Sequence, residues 1–358
     1  MTQSVNFRLS CGCCFIIPPA LLRALSLGQK NVKPQQPKIF QDSFSATQRL
    51  RSIREGHRVA SLIARRSFVA EAATHSPEEH LFDCRHRTAL PGRAVAHPTE
   101  AGQDFKTVFE TTAKVRDFYN TVLGRNSIDN QGMDLVSSLN YSRNYQNAFW
   151  NGQEMVYGNG DQKIFTDFWK SADVIGHELT HGVTQNESGL QYEGESGALN
   201  ESISDCFGAV FNQWSQKIPA SNAEGWLIGA GIMGPDAKAQ GYTCLRDMMD
   251  PKASHCLSPQ PDTYDNFDPS ADVHENSGIP NHAFALFARA AGGNAYDAPI
   301  KVWYTACTGG RLSSAATIAD FARSTVNAAD QWQGSDRDTL VRAVRDAWTT
   351  VKVPLPAV

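Results

Sequence analysis

Two histidines four residues apart are the side chains in this sequence best placed to bind a metal ion. They belong to His177-Glu178-Leu179-Thr180-His181, which lies in an apolar segment that predicts a helix. Residues at i and i+4 share one helix face, so both imidazoles can reach the same ion. Glu178 is rotated from His177 by about 100° and can lie beside the ion without binding it. The pattern predicts a zinc site with a general base next to it.

A second segment with helical periodicity, residues 198–205, supplies carboxylates. Glu201 is the predicted third ligand. Two histidines and one glutamate leave a fourth position for water, as in catalytic rather than structural zinc sites. Asp205 lies one turn after Glu201 and is predicted to accept the second ring N–H of a metal-bound histidine. The alternative is a pair of exposed histidines on a surface helix, which the apolar flanking residues disfavour.

The surrounding sequence predicts an α+β protein in which strands precede the metal helix and helices follow it. Strand patterns cover residues 80–84, 93–96, 133–141, 147–151 and 154–158. Helical patterns cover residues 46–73, 104–123, 172–186, 197–216, 277–292, 296–309, 313–328 and 336–350. We therefore expect a β-rich lobe and a helical lobe, with the metal helix and a cleft between them.

The charge of the chain is divided between a basic N-terminal part and an acidic remainder. Residues 1–76 hold 11 Lys and Arg against 3 Asp and Glu, whereas the other residues hold 22 against 34. This asymmetry predicts a basic segment that docks on an acidic body, and the alternative is a basic disordered tail. Nucleic-acid binding is not expected, because the basic part lacks interleaved aromatic residues. No run of 18 apolar residues occurs, so we expect no membrane-spanning helix, and we expect a monomer.

Several motifs, in the same order along the chain, resemble the thermolysin family of zinc metallopeptidases. They are the run from His177 to Asp205, the segment from Asn147 to Gly158, and the segment from Val273 to Asn281. The resemblance extends from about residue 79 to the C-terminus. It implies a two-lobe thermolysin-like fold, with residues 77–190 as the N-terminal catalytic lobe and residues 191–358 as the C-terminal helical lobe. It also implies a zinc-dependent neutral endopeptidase that cleaves proteins or peptides on the amino side of hydrophobic residues through a zinc-activated water.

The resemblance also assigns roles to residues around the metal. Glu178 would be the general base, and His274 and Tyr192 would donate hydrogen bonds to the developing oxyanion. Asp205 would orient His177, and Asn200 would orient His181.

Substrate binding is assigned in the same way. Asn147, the carbonyl group of Ala148, and Arg246 would hold the substrate backbone. The primary specificity pocket would be lined by five apolar residues, namely Phe165, Phe168, Val174, Ile228 and Leu245.

Two regions depart from the family pattern. Pro269 stands where the family has an aspartate that orients the catalytic histidine, which leaves Asp268 and Asp272 as candidates. At the family's double calcium site Asp173 matches. The remaining positions lack carboxylates and hold Asn212, Gly225, Leu227 and Ala230. Calcium takes six or more oxygen ligands, so the double calcium site is predicted to be absent.

The segment Ile16-Ile17-Pro18-Pro19-Ala20-Leu21-Leu22 is similar to the short propeptide of protealysin-like members of the family. The similarity implies that residues 1–76 are a propeptide and linker, and that Pro18, Pro19 and Leu21 occupy the substrate cleft. The segment would then act as an intramolecular inhibitor of the precursor. The alternative is an unrelated disordered tail. One of Cys11, Cys13 and Cys14 is a minor candidate for an additional zinc ligand in the latent form.

The sequence says less about the cellular location of the protein and about the pairing of its cysteines. The resemblance implies a secreted protein, but the apolar patch at residues 13–17 is a poor signal peptide, so a cytoplasmic precursor is the alternative. Cys244 and Cys256 flank a loop and could form a disulfide, which the sequence leaves open.

Two other functions are compatible with a metal helix of this kind. An inactive protease-fold binding protein is disfavoured by the intact Glu178. A metal-dependent hydrolase for another substrate is disfavoured by Asn147, Arg246 and the motif around His274.

Overall fold

The N-terminal half of the chain forms a six-stranded mixed sheet. The computed structural model describes residues 14–64 and 76–355, with side chains described except at 53–64. The strands are β1 (Cys14–Phe15), β2 (Glu79–Asp83), β3 (Arg93–Ala94), β4 (Leu135–Leu139), β5 (Ala148–Trp150) and β6 (Met155–Tyr157). Their order in the sheet is β1-β5-β6-β4-β2-β3. β4 is parallel to both of its neighbours, and the other pairs are antiparallel.

Strand β1 extends this sheet from the N-terminal segment of the chain. Cys14 lies opposite Trp150, and Phe15 lies opposite Phe149. β1 therefore covers the edge of β5, the segment predicted to hold a substrate backbone.

Helices account for most of the remaining regular structure. They are α1 (Pro19–Ser26), α2 (Pro37–Ala64), α3 (Gln103–Leu123), α4 (Ala172–Asn186), α5 (Gly194–Gln216), α6 (Pro235–Ala239), α7 (Val273–Asn276), α8 (Gly278–Ala291), α9 (Ala298–Thr308), α10 (Ile318–Asp330) and α11 (Arg337–Thr350). A two-stranded antiparallel ribbon pairs β7 (Leu227–Ile228) with β8 (Arg246–Asp247). In the helical lobe, the ring of Trp303 stacks on that of Trp348 with centroids 5.8 Å apart.

Helices α4 and α5 cross closely, and glycine is required at the crossing. A Cβ atom on Gly208 would lie 2.5 Å from the carbonyl oxygen of Asp173, and one on Gly176 would lie 3.1 Å from Cα of Gly208. Both distances are shorter than ordinary packing allows. The close approach brings His177, next to Gly176, within reach of the carboxylates that α5 presents.

The α+β prediction of a β-rich lobe, a metal helix and a helical lobe is confirmed, but three helices begin three or more residues from their predicted starts. Helix α5 begins at Gly194 rather than 197. Helix α2 begins at Pro37, nine residues before the predicted start, because proline is well tolerated in the first turn of a helix. The part of that prediction at residues 65–73 lies outside the described residues. Helix α10 begins at Ile318 rather than 313, since Thr317 and Asp320 form a capping box there.

The N-terminal segment shares the main apolar core with the rest of the protein. Ile16, Ile17, Leu22, Leu25 and Phe40 are all fully buried in that core. Within residues 14–64 and 76–355, no helix has the length and apolar character needed to span a membrane.

Candidate active site

The predicted metal ligands meet at the crossing of α4 and α5. His177 Nε2 and His181 Nε2 lie 2.9 Å apart, and each lies 3.5 Å from a carboxylate oxygen of Glu201. All three side chains are buried. Zinc bonds of about 2.0–2.1 Å in a tetrahedron place neighbouring ligand atoms about 3.4 Å apart. The observed separations lie around that value, so the three residues can hold one metal ion.

Hydrogen bonds to the other ring nitrogens turn both histidines towards this point. His177 Nδ1 lies 2.9 Å from Asp205 Oδ1, and His181 Nδ1 lies 2.8 Å from Asn200 Oδ1. A proton on each Nδ1 leaves a lone pair on each Nε2. Two lone pairs facing each other across 2.9 Å, beside a carboxylate, repel unless a cation lies between them. The donor set therefore fits a metal.

The protonation state of His181 is consistent with this arrangement. Burial, together with the neighbouring His177, lowers the pKa of His181 well below its ordinary value. The imidazole is then neutral, which metal binding requires. Ser204, which the sequence analysis did not select, adds a hydroxyl 3.0 Å from His181 Nδ1.

Asp205 connects the metal centre to the cleft. Besides His177, its carboxylate accepts hydrogen bonds from Arg246 Nε at 2.8 Å, Arg246 Nη2 at 2.7 Å and Asn281 Nδ2 at 2.8 Å. Burial opposes its ionisation, but Arg246 and His177 outweigh burial and lower the pKa of Asp205. A single charged carboxylate thus orients both His177, a predicted metal ligand, and Arg246, a predicted substrate-binding residue.

Glu178 is buried beside the three ligand residues, and the main-chain N–H groups of Trp150 and Ile16 lie close enough to favour its charged form without forming hydrogen bonds of good geometry. Neither carboxylate oxygen has a hydrogen-bond partner among the described residues, and the same holds for Glu201 Oε2. Burial, followed by the charge of Glu201, raises the pKa of Glu178 well above its ordinary value. A buried carboxyl group with only weak protein partners is consistent with a site that binds water and a metal ion.

His274 and Tyr192 both lie next to the Glu201 carboxylate. Tyr192 Oη donates to Glu201 Oε1 and lies 3.3 Å from His274 Nε2. Asp272, rather than Asp268, contacts His274 Nδ1, whereas Asp268 bonds Ser270. Although burial disfavours the charged ring, Glu201 and Asp272 raise the pKa of His274. Asp272 therefore makes the contact with the His274 ring that the resemblance assigned to an aspartate at the position of Pro269.

The residues predicted to hold a substrate backbone hold residues 15–17 of this chain. Ile16 N–H donates to the Ala148 carbonyl at 3.2 Å, and the Ile16 carbonyl accepts from Arg246 Nη1 at 3.0 Å. Asn147 brackets Ile17, accepting its N–H at 2.9 Å and donating to its carbonyl at 3.0 Å.

At the metal end of the cleft, the Phe15 carbonyl oxygen contacts His274 Nε2. The sequence analysis named Pro18, Pro19 and Leu21 as the cleft segment. All three are buried, but Pro19 begins α1, and the cleft contacts are made three residues earlier.

The five predicted pocket residues are buried, with exposures of 0–1%, in the core that also contains Ile16. Phe40 of α2 packs against Phe165, with ring centroids 6.3 Å apart. Arg51 of α2 forms an ion pair with Asp272 at 3.2 Å, and its guanidinium lies over the rings of Phe15 and Tyr192. Neither Phe40 nor Arg51 was selected from the sequence, because nothing local to α2 indicates which distant residues it contacts.

Asp173 is the one carboxylate that matches the family's double calcium site, and it is hydrogen-bonded to other groups of the protein. Asp173 is buried and accepts hydrogen bonds from Gly229 N–H at 2.5 Å and from the Ser171 hydroxyl. Burial raises the pKa of Asp173.

Comparison with known proteins agrees with this geometry. Residues 94–185 match the family model described as thermolysin metallopeptidase, catalytic domain, and residues 188–353 match thermolysin metallopeptidase, alpha-helical domain. An extracellular metalloprotease of Pectobacterium carotovorum subsp. carotovorum is 37% identical over 286 residues, which is 76% of this chain and 80% of that protein. Protease PrtS of Photorhabdus sp. (strain Az29) is 34% identical over 297 residues, covering 79% of this chain and 78% of that protein.

A solved structure extends the likeness to the N-terminal segment. The precursor of protealysin, a metalloproteinase from Serratia proteamaculans, aligns with a TM-score of 0.80 at 33% identity. The alignment covers 95% of this chain and 100% of that one. From the matched domains, these relatives and the metal-binding geometry together, this chain belongs to the thermolysin family and is a metalloendopeptidase.

Proposed function

We propose that this protein is a zinc-dependent neutral endopeptidase, made as a precursor whose own N-terminal segment fills its substrate cleft. The observation that carries the proposal is the path of residues 15–17. They continue from β1, which is antiparallel to β5, and contact Asn147 at one end and His274 at the other, as a bound peptide would.

The zinc ligands in this proposal are His177, His181 and Glu201. Two imidazoles and one carboxylate are the donor set of many catalytic zinc sites. Zinc bound there would supply a Lewis acid that activates water and polarises the substrate carbonyl.

Glu178 is proposed to accept a proton from the attacking water and to deliver it to the leaving amine. Its burial beside the proposed zinc ligands and its raised pKa support this role. His274 and Tyr192 are proposed to donate hydrogen bonds to the carbonyl oxygen as it gains charge. The contact between His274 and the Phe15 carbonyl supports this assignment. Asp205 and Asn200 keep the metal-binding rings oriented.

The proposed specificity follows from the register of the N-terminal segment. The Phe15–Ile16 bond occupies the position of a scissile bond, since the Phe15 carbonyl faces His274 and the Ile16 carbonyl is held by Arg246. Ile16 is fully buried in the main apolar core of the protein, which also contains the predicted pocket residues Phe165, Phe168, Val174, Ile228 and Leu245. An apolar pocket at this position favours cleavage on the amino side of hydrophobic residues.

Further parts of the proposal concern the whole chain. Residues 1–76 form the propeptide and linker, residues 77–190 the N-terminal catalytic lobe and residues 191–358 the helical lobe. The protein acts as a secreted monomer on protein or peptide substrates, in keeping with the extracellular relative. The double calcium site is absent, and the internal bonding of Asp173 supports this. Titration calorimetry that detects tight binding of two calcium ions at Asp173 would contradict that last point.

The catalytic proposal is tested by peptide cleavage with and without a zinc chelator, beside Glu178→Gln and the control Glu110→Gln. Chelation and Glu178→Gln should each abolish activity, whereas Glu110→Gln on the surface of α3 should not. Activity that survives both treatments would refute the mechanism.

The inhibitory segment is tested by comparing the intact chain with the protein after N-terminal processing. Initial activity should rise on processing, because residues 15–17 no longer occupy the cleft. Equal activity of the two forms would refute self-inhibition while leaving the catalytic proposal in place.

A further inference from the structure

A second group of metal-binding side-chain types lies beside the β7–β8 ribbon. One ligand atom from each of Cys244, His255 and Cys256 lies within 4.8 Å of the others. Both cysteines are buried, at 0% and 2% exposure, and their sulfur atoms are 3.8 Å apart. Main-chain hydrogen bonds join the two segments, from Leu257 N–H to Cys244 O and from Thr243 N–H to His255 O, both at 3.0 Å. None of these residues belongs to the candidate active site.

The spacing and surroundings of this group fit a metal. Two thiolates bound tetrahedrally to zinc at about 2.3 Å lie about 3.8 Å apart, which agrees with the observed sulfur separation. Asp247 Oδ2 lies 3.1 Å from His255 Nε2. A carboxylate that orients a histidine is the usual companion of a histidine ligand. Asp247 is itself held by the N–H groups of Met249 and Asp250.

We propose that Cys244, His255 and Cys256 form a second, non-catalytic site for a soft divalent cation, with zinc as the expected ion. Binding would replace the two thiol protons, so that two protons leave as two metal–sulfur bonds form. Two thiolates then balance the double charge of the ion, and the two cysteines pack against Ala253. The His255 side chain is 38% exposed, which gives the ion and a fourth, water ligand access from solvent.

The site lies one residue from the specificity pocket. Cys244 immediately precedes Leu245 and Arg246, which the proposed function places against the substrate. An ion bound to Cys244 would fix the segment that carries Leu245 and leads into β8 at Arg246. Loss of the ion should therefore raise KM more than it lowers kcat. This consequence rests on the proposed function, whereas metal binding at the site does not.

Cobalt substitution of the intact chain under reducing conditions tests the binding. Thiolate ligands give cobalt a charge-transfer band in the near ultraviolet, which a site of two histidines and one glutamate lacks. The band should be present in the wild type and in Cys307→Ser, a buried cysteine outside the cluster. Cys256→Ser should lose the band and about half of the bound cobalt. A band that persists unchanged in Cys256→Ser would overturn the proposal.

Alkylation of the unmutated protein gives an independent test that needs no variant. Cys244 and Cys256 should resist labelling until a chelator is added, as mass mapping of the two peptides would show. Protection that a reductant relieves but a chelator does not would indicate a disulfide and overturn the proposal. Ready labelling of both cysteines without either reagent would overturn it as well.

Discussion

The metal centre and the strand that covers it differ in how the sequence encodes them. The metal centre consists of residues separated by one helical turn in α4 and α5, held by short hydrogen bonds between two helices. The covering strand β1 consists of two residues whose partners lie more than a hundred positions away. Local periodicity specifies the first region, whereas the second depends on contacts that no local pattern contains. We therefore expect substitutions at the metal centre to impair metal binding strongly. Substitutions that remove contacts of the covering strand should raise the activity of the intact chain in proportion to the binding energy lost.

Among the variants that test this comparison, Ile16→Glu should produce the largest change in the activity of the intact chain. A carboxylate placed in the fully buried position of Ile16 has no partner there, and burying it costs several kcal/mol. A loss of about 3 kcal/mol of docking corresponds to about a 100-fold rise in the activity of the intact precursor. Initial rates of peptide cleavage measure this rise.

Leu27→Glu is the matched control, because Leu27 belongs to the same segment but is 58% exposed. Its precursor should stay as inactive as the wild type. Similar activation by both variants would mean that the segment does not act through the cleft contacts of residues 15–17.

Asp205→Asn should weaken metal binding by about 10- to 100-fold, because the variant orients His177 less strongly. It should also raise KM, since Arg246 loses its anionic partner. Competition with a chelator measures the affinity, and Asp320→Asn in the α10 cap is the isosteric control. Unchanged metal affinity in Asp205→Asn would show that the helix crossing alone orients the ring.

Asp272→Asn should move the alkaline limb of kcat/KM to lower pH in the processed enzyme. The carboxylate helps to raise the pKa of His274, so the protonated ring, the proposed oxyanion donor, persists to higher pH in the wild type. Removing that carboxylate lowers the pKa, and activity is then lost earlier as pH rises. The pH–rate profile measures the shift.

Asp268→Asn should leave the profile unchanged, because Asp268 bonds Ser270 rather than His274. A shift in Asp268→Asn but not in Asp272→Asn would reverse the assignment of the orienting carboxylate.

Arg51→Gln should have the smallest effect. Its ion pair with Asp272 is partly exposed, with side-chain exposures of 22% and 19%, and a pair of this kind contributes about 0.5–1 kcal/mol. The intact precursor should become two- to fivefold more active as measured by initial rate. Arg49→Gln, two residues earlier on α2, is the control, and an equal response would show a general charge effect.

The sequence predicted the elements around the metal almost to their ends, because helix periodicity and turn residues are local signals. Helix α4 has the predicted bounds, and α3 differs from its prediction by one residue at its start. The ligand residues, Asp205 and Asn200 lie at the expected distances, while their catalytic roles stay predictions.

The cleft segment was located only approximately. A short similar motif pointed to Pro18 and Pro19, but β-pairing with β5 sets the register at Phe15, Ile16 and Ile17. Phe40 and Arg51 escaped prediction because their partners, Phe165 and Asp272, lie far away in the sequence. A contact of that kind follows from the folded arrangement and not from the spacing of residues along the chain.

Strand β1 has a consequence for solubility. While it is in place, the backbone groups of β5 on that side are paired within one molecule. If the segment is removed, as the proposed function requires, β5 becomes an open sheet edge, which would accept an extended chain of suitable sequence, including an unfolded copy of the same protein. Under the proposed function, the form most competent in peptide binding would therefore also be the form most exposed to aggregation, and the docked N-terminal segment would protect the folded protein from that hazard.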